Sequence, residues 1–227
     1  MDKSFIEVYD NALPDDICDY LVSIFDRENN SDHSTVEEIR TSSDPDTGPT
    51  HFASGLHMKL SEEWFHYDSV IGDLDYIVSE KMVDYNNKYL LASNKENFHL
   101  IPDEWNLELD ENEFDNPSVV SEYLKRMGDY SIKKYTHPDD GYHMWHHDWS
   151  ALTYIIQRVL AVQFFLNDVE KGGETEFYHQ GIKVKPKKGR LVIFPTYFTH
   201  LHRGNKPISN DKYTVSCFYK FNTAQTR

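Results

Sequence analysis

From about residue 128 to its end the chain breaks into short β-type runs, DYSIKKYT, HMWHHDWS, RVLAVQFFLND, GIKVKP, RLVIFP and KYTVSCFYKF, each bounded by Gly, Pro, Asn or Asp. Runs this short and closely spaced cannot form a helical bundle. They predict an antiparallel sandwich or barrel, in which strands alternate an inward and an outward face. The first half has the opposite character. FIEVYDN reads as a short strand, and residues 13–29 repeat apolar side chains at Leu13, Ile17, Leu21, Ile24 and Phe25, which predicts an amphipathic helix with Pro14 in its first turn. A second helix is expected from Ser61 as its N-cap, through Trp64, Val70, Ile71, Leu74, Ile77, Val78, Met82 and Tyr85. Residues 41–57, dense in Ser, Asp, Gly and Pro, read as a long loop. Helices first and strands later make one α+β unit with a mainly β core, its helical support in 1–127 and its strand-rich core in 128–227.

At 227 residues the chain can bury a core without covalent staples. Its two cysteines, Cys18 and Cys217, signal neither a disulfide framework nor a thiolate metal site, which suits a reducing cytoplasm. The N-terminus has no secretory pattern, and the longest apolar stretch, residues 159–166, is too short to span a bilayer. A formal net charge of −15 disfavours nucleic acid and anionic membranes as partners. It accommodates a basic polypeptide more easily. Residues 103–116 carry seven carboxylates and no Lys or Arg, and read as a solvated insertion or as an acidic lip for such a partner.

Residues 143–150, HMWHHDWS, set three histidines and an aspartate close together. On an extended segment His146 and Asp148 share a face and His147 takes the other. His200 and His202, beyond the run RLVIFP, offer a third ligand; two histidines and one carboxylate with open positions suit non-haem Fe(II), and similar donors serve zinc. Lys212 and Ser216 share one face of the last strand, where an ammonium beside a hydroxyl can receive the distal carboxylate of a dicarboxylic acid. Trp145, Trp149 and Phe164 are candidates to shield a metal or are ordinary core. GGETEF (172–177) is expected to be architectural, its glycines permitting a tight turn.

In this order, H-x-D, then LND-x-x-x-GGETEF, then KPKKGRLVIFP, then HRG with a lysine ten positions after its histidine, the chain resembles the 2-oxoglutarate and Fe(II)-dependent oxygenases of the prolyl 4-hydroxylase-like group. The resemblance implies a double-stranded β-helix, a jelly roll of the cupin-like kind, with supporting N-terminal helices. It implies His146, Asp148 and His202 as iron ligands, His202 being preferred to His200 because it precedes Arg-Gly. Lys212 would hold the 2-oxoglutarate C5 carboxylate, with Tyr135 and Ser216 lining that pocket. Fe(II), 2-oxoglutarate and O2 would be required, with ascorbate as a reductant. EEIRTSS (37–43) resembles a mobile loop that folds over a peptide. Phe165 stands where some relatives carry a tyrosine that contacts 2-oxoglutarate. The implied reaction hydroxylates an unactivated C–H bond, with peptidyl proline as the substrate and release of succinate and CO2; another side chain or a free small molecule is the alternative. A non-catalytic cupin-like binder and a zinc hydrolase are the rivals outside this chemistry.

Overall fold

The computed structural model describes residues 4–32, 34–39, 43–44, 48–49, 53–61, 68–90, 124–149 and 158–221. Strand β1 (Glu7–Tyr9) leads into helix α1 (Asp15–Asn29), and β2 (Glu37–Ile39), β3 (Ser43–Asp44), β4 (Gly48–Pro49) and β5 (Ala53–Leu60) precede helix α2 (Asp68–Tyr85), which ends in one π-helical turn at Asn86–Leu90. The rest is β6 (Leu124–Tyr135), β7 (Gly141–His146), β8 (Leu160–Phe165), β9 (Thr175–Phe177), β10 (Ile182–Val184), β11 (Leu191–Pro195), β12 (His202–Gly204) and β13 (Lys212–Phe221), with a 3₁₀ turn at Phe198–His200. No described helix is long and apolar enough to cross a membrane.

The strands run in the order β1-β11-β8-β13-β6-β5-β7-β12-β9-β10, with β2 on the side of β5. All named pairings are antiparallel, and β5 belongs to two ladders, bonding β6 on the larger sheet and β7 on the smaller. The two sheets fold face to face into a nearly closed jelly roll. Between them Ala161, Phe165, Val192 and Phe194 of the larger sheet meet Phe177 and Val184 of the smaller in one buried apolar cluster.

The outer face of the larger sheet is covered by both helices. Leu21, Ile24 and Phe25 of α1 and Leu74, Val78 and Met82 of α2 bury against Ile132, Val162, Phe164, Val215 and Cys217. Their spacing is the helical period expected from the sequence, and it aims one stripe of each helix at the sheet. Asp15 and Asp16 lie in the first turn of α1 and Arg27 in its last, the signs that the helix dipole favours. Pro14 occupies the N-cap position with ψ 147°, one place earlier than expected.

Two expectations from the first half need correction. Residues 53–60 are strand β5, not part of a long loop; their Ser, Gly and His mask the strand period because both edges are paired and neither face is uniformly apolar. Part of EEIRTSS is likewise strand, since β2 pairs with β5. Ser61 directly follows β5 and helix α2 is described from Asp68; residues 62–67, where a cap at Ser61 would act, lie outside the described residues. The support region thus contributes β1, β2 and β5 as well as helices. Trp64 and segment 103–116 lie outside the described residues.

The GGETEF turn has an architectural cause. Gly172 adopts φ +75°, and a Cβ there would meet the Lys206 carbonyl oxygen at 2.2 Å. Its chain direction is pinned by the Gly173 amide, which donates to that same carbonyl at 2.8 Å. Gly172→Ala is expected to cost more than about 1 kcal/mol, because neither the left-handed backbone nor the close approach tolerates a methyl; a lowered urea midpoint at unchanged slope is the measurement.

Candidate metal and cosubstrate site

The inward face of the smaller sheet carries the histidines. His202 on β12 lies directly opposite His146 on β7 and, on its other side, opposite Phe177 on β9. Directly paired residues project to the same face, so the two imidazoles are brought together, with ring centroids 4.3 Å apart. β7 ends at His146, and Asp148 sits in the bend that follows. The bend returns the carboxylate to the histidines: Oδ2 is 3.5 Å from His202 Nε2 and Oδ1 is 4.0 Å from His146 Nε2. One donor atom from each of the three residues falls within 4.8 Å of the others. Asp148 reaches this face through the turn, and not through strand alternation as the sequence spacing suggests.

Each histidine is oriented for ligation. His146 Nδ1 lies 2.9 Å from the Met144 carbonyl, and His202 Nδ1 lies 3.0 Å from the His200 carbonyl. A carbonyl only accepts, so each Nδ1 carries the proton and each Nε2 turns a lone pair toward Asp148. Burial and the neighbouring His202 pull the His146 imidazole down to about 4, which keeps it neutral as a metal ligand must be. Phe194 and Phe177 pack on His202 at centroid distances of 4.8 and 5.8 Å. Donor set, tautomers and apolar wall fit a divalent cation of the Fe(II) type.

The competing histidine is occupied elsewhere. His200 is buried in the 3₁₀ turn, where its Nε2 donates to the Ser4 carbonyl at 2.9 Å and its Nδ1 meets Thr199 Oγ1. It takes no place in the cluster. Trp145 lies beneath the Arg203 guanidinium at 4.4 Å and against Tyr178, on the side of β7 away from His146. Trp149 packs toward Tyr197, and Phe164 faces the helices. None of these three lines the site; the aromatic wall comes from Phe177 and Phe194.

Arg203, next to His202, binds Glu176 of GGETEF with Nε at 2.9 Å and Nη2 at 2.8 Å. That pair sits directly across β12 and β9 and ties the His202 strand in register.

A cavity of about 550 Å³ opens from the cluster between the sheets and is lined by Tyr135, Lys212 and Ser216 together with His146, Asp148 and His202. Lys212 is only 2% exposed. Its Nζ donates to the Gly173 carbonyl at 3.1 Å and stands 4.5 Å over the ring of Tyr135, which lies opposite it on β6. Burial, aided by the charge of Lys133, pulls this ammonium down to about 7. A buried cation with one carbonyl acceptor has donor capacity left that suits a carboxylate. Phe165 shares the inward direction but is fully buried in the apolar cluster and does not line the cavity.

Several lining residues were not singled out from the sequence: Lys133, Tyr142, Arg158, Gln163, Thr175 and Thr214. For Lys133 the signal was present, because it lies two residues before Tyr135 on one strand and so faces the same way. Arg158 donates to the Asp148 carbonyl at 3.4 Å, and the Tyr142 ring lies 4.0 Å from that of His146. Tyr142 is four residues before His146 on β7 and so shares its face, whereas nothing in the sequence spacing signals the role of Arg158.

Residues 130–220 match the family model of the 2OG-Fe(II) oxygenase superfamily. Among solved structures, the chain is similar to a Pseudomonas putida prolyl-4-hydroxylase, at 14% identity and TM-score 0.60 over 97% of this chain and 94% of that one. It is similar to a prolyl hydroxylase from Trichoplax adhaerens, solved in complex with a hypoxia inducible factor oxygen degradation domain peptide fragment, at 13% identity and TM-score 0.59 over 96% and 84% of the two chains. A viral collagen prolyl hydroxylase from Paramecium Bursaria Chlorella virus-1 gives 17% identity and TM-score 0.53 over 96% of each chain. No curated protein matches by sequence. The stretch that matches the 2OG-Fe(II) oxygenase superfamily model holds all of the candidate metal and cosubstrate residues, and the fold is similar to that of the prolyl hydroxylases.

The depressed Lys212 ammonium has a consequence for stability. Its folded-state pKa lies below the unfolded value, so between about 7 and the ordinary lysine range the unfolded chain binds the extra proton, and the cost of burying the charge fades as pH rises. Without ligand, Lys212→Met is expected to be more stable than wild type at pH 7, with the difference closing toward pH 10; paired urea titrations across that range check it.

Proposed function

We propose that the chain hydroxylates an unactivated C–H bond of a peptide or protein substrate, most specifically proline to 4-hydroxyproline, with 2-oxoglutarate converted to succinate and CO2. The observation that carries the reading is the buried Lys212 ammonium facing into the same cavity as the His146, Asp148 and His202 donors. In this account the three donors hold Fe(II), and Lys212 binds the C5 carboxylate of 2-oxoglutarate. The metal and cosubstrate supply the oxidising power when bound with O2, and the protein supplies position and exclusion of water.

Each side chain then has a definite task. The Met144 and His200 carbonyls fix both imidazoles as the Nδ1–H tautomers, so that Nε2 is free to ligate. Tyr135 supports the Lys212 ammonium with its ring face, and Ser216 offers a hydroxyl on the same wall of the cavity. Phe177 and Phe194 keep water from His202. The folded domain is 1–227, with the strands from 128 onward carrying the chemistry. Ascorbate serves as the reductant that returns oxidised iron to Fe(II). The strongly acidic exterior favours substrates with basic flanks, and a cytoplasmic setting keeps Cys18 and Cys217 reduced.

The resemblance in fold to prolyl hydroxylases, one of them with a peptide bound, supports a peptide substrate. Incubation with Fe(II), 2-oxoglutarate, O2 and a library of proline-containing peptides is expected to add one oxygen atom, 16 Da, to a proline residue, with one succinate per event. Asp148→Ala is expected to reduce both products to background while remaining folded. Oxygen insertion on another residue type would keep the chemistry and overturn the proline assignment.

A further inference from the structure

The cavity wall that carries Lys212 carries a second lysine. On β6, Lys133 lies between His57 of β5 and Thr214 of β13, and all three residues line the cavity. Unlike Lys212, Lys133 makes no ion pair or hydrogen bond among the described residues, and the charges it feels are those of Asp148 and Arg158. Arg158 lines the same space, its guanidinium 3.7 Å over the Phe218 ring. Among the described lining residues three cationic side chains, Lys133, Arg158 and Lys212, face a single carboxylate, Asp148. A divalent metal and a dicarboxylate cosubstrate cancel one another's charge. Among the described lining residues, Lys133 thus adds a positive charge beyond the one on Lys212 that the cosubstrate takes up, in a chain whose overall charge is −15. Lys133 is half-buried and has no hydrogen-bonded or ion-paired acceptor among the described residues, and a cation so placed on a cavity wall fits an external anion.

We propose that Lys133 is a specificity-determining residue that binds a carboxylate of the substrate beside the metal cluster, so that the substrate is anionic next to its reacting carbon. The proposal rests on the oxygenase reading above. Two features separate this subsite from that of the cosubstrate. The two lysines are neighbours on one wall, but Lys133 interacts electrostatically with Asp148, whereas Lys212 donates to the Gly173 carbonyl and feels Glu174, so Lys133 is the one directed toward the metal cluster. The metal itself neutralises the other end of a chelating cosubstrate, which leaves Lys133 for a different anion. The carboxylate comes either from the side chain of an acidic residue adjoining the reacting proline or from the α-carboxylate of a terminal or free amino acid. A substrate with basic flanks outside the cavity still satisfies this requirement inside it.

The test is calorimetric titration of the full chain loaded with Mn(II) and 2-oxoglutarate, using two matched pairs: acetyl-Glu-Pro-amide against acetyl-Gln-Pro-amide, and acetyl-proline against acetyl-prolinamide. The expected result is that the carboxylate member of one pair binds about tenfold to a hundredfold more tightly, as a charge-assisted contact requires. The pair that discriminates identifies the source. The preference should vanish in Lys133→Met and persist in Lys133→Arg, while 2-oxoglutarate affinity in Lys133→Met stays within about twofold of wild type. Equal binding within both pairs, or a preference that survives Lys133→Met, overturns the proposal. So does a loss of 2-oxoglutarate affinity in Lys133→Met as large as that in Lys212→Met, which would assign Lys133 to the cosubstrate. Titration of 2-oxoglutarate into the Mn(II) protein is done first, and failure there overturns the oxygenase reading itself and this inference with it.

Discussion

The site depends on one cross-strand register. β12 is only three residues long, yet it is clamped between β7 and β9 so that His202 faces His146 on one side and Phe177 on the other. A slip of one residue would turn His202 out of the cavity and bring Arg203 in. Three restraints oppose that slip. Arg203 grips Glu176 on the adjacent strand, Gly172 and Gly173 fold the chain against residues 206–207, and the His202 ring is locked by the His200 carbonyl behind it. GGETEF and HRG are therefore two halves of one mechanical device, and its output is the position of a single imidazole nitrogen.

The larger sheet supplies electrostatics in the same way that the smaller supplies ligands. Tyr135, Lys212, Lys133 and Thr214 occupy neighbouring inward positions on β6 and β13, the pair of strands with the longest shared ladder. The outward positions Ile132, Val215 and Cys217 are buried under α1 and α2, so the helices fix the sheet whose other face holds Lys212 away from solvent and Lys133 half-buried beside it. Burying Lys212 is costly for the empty protein, and an anionic ligand repays that cost on binding. An acidic chain with a cationic interior separates the field that a substrate meets at the surface from the one that holds it in place.

How much of this was legible in the sequence depended on the kind of signal. Strands β8, β11 and β13 carried long apolar or alternating runs and were clear, as was the stripe of α1, because burial on one face leaves a period. β5 was hidden by its Ser, Gly and His content, since a strand paired on both edges need not alternate. Among site residues, spacing brought His146, Asp148 and His202 into consideration and left His200 as a competitor. Only the 3₁₀ turn, which sends His200 to the Ser4 carbonyl, separates the two histidines spatially. Lys133 shared a strand face with Tyr135 and was overlooked because a lysine at a strand position ordinarily reads as solvated. Tyr142 shared a strand face with His146 in the same way, whereas Arg158 becomes part of the site through long-range folding, which short-range patterns do not encode.

The central claim is that one cavity binds metal and dicarboxylate together, at His146, Asp148, His202 and Lys212. Its most direct test is anaerobic titration of 2-oxoglutarate into the Fe(II) protein, monitored by visible absorption and repeated with His202→Ala and Lys212→Met. The account predicts a metal-to-ligand charge-transfer band in the wild type that is absent in His202→Ala. In Lys212→Met the same band should appear only at much higher 2-oxoglutarate concentration. A folded, iron-loaded wild type that develops no band would contradict it, as would a band whose midpoint is the same in wild type and Lys212→Met.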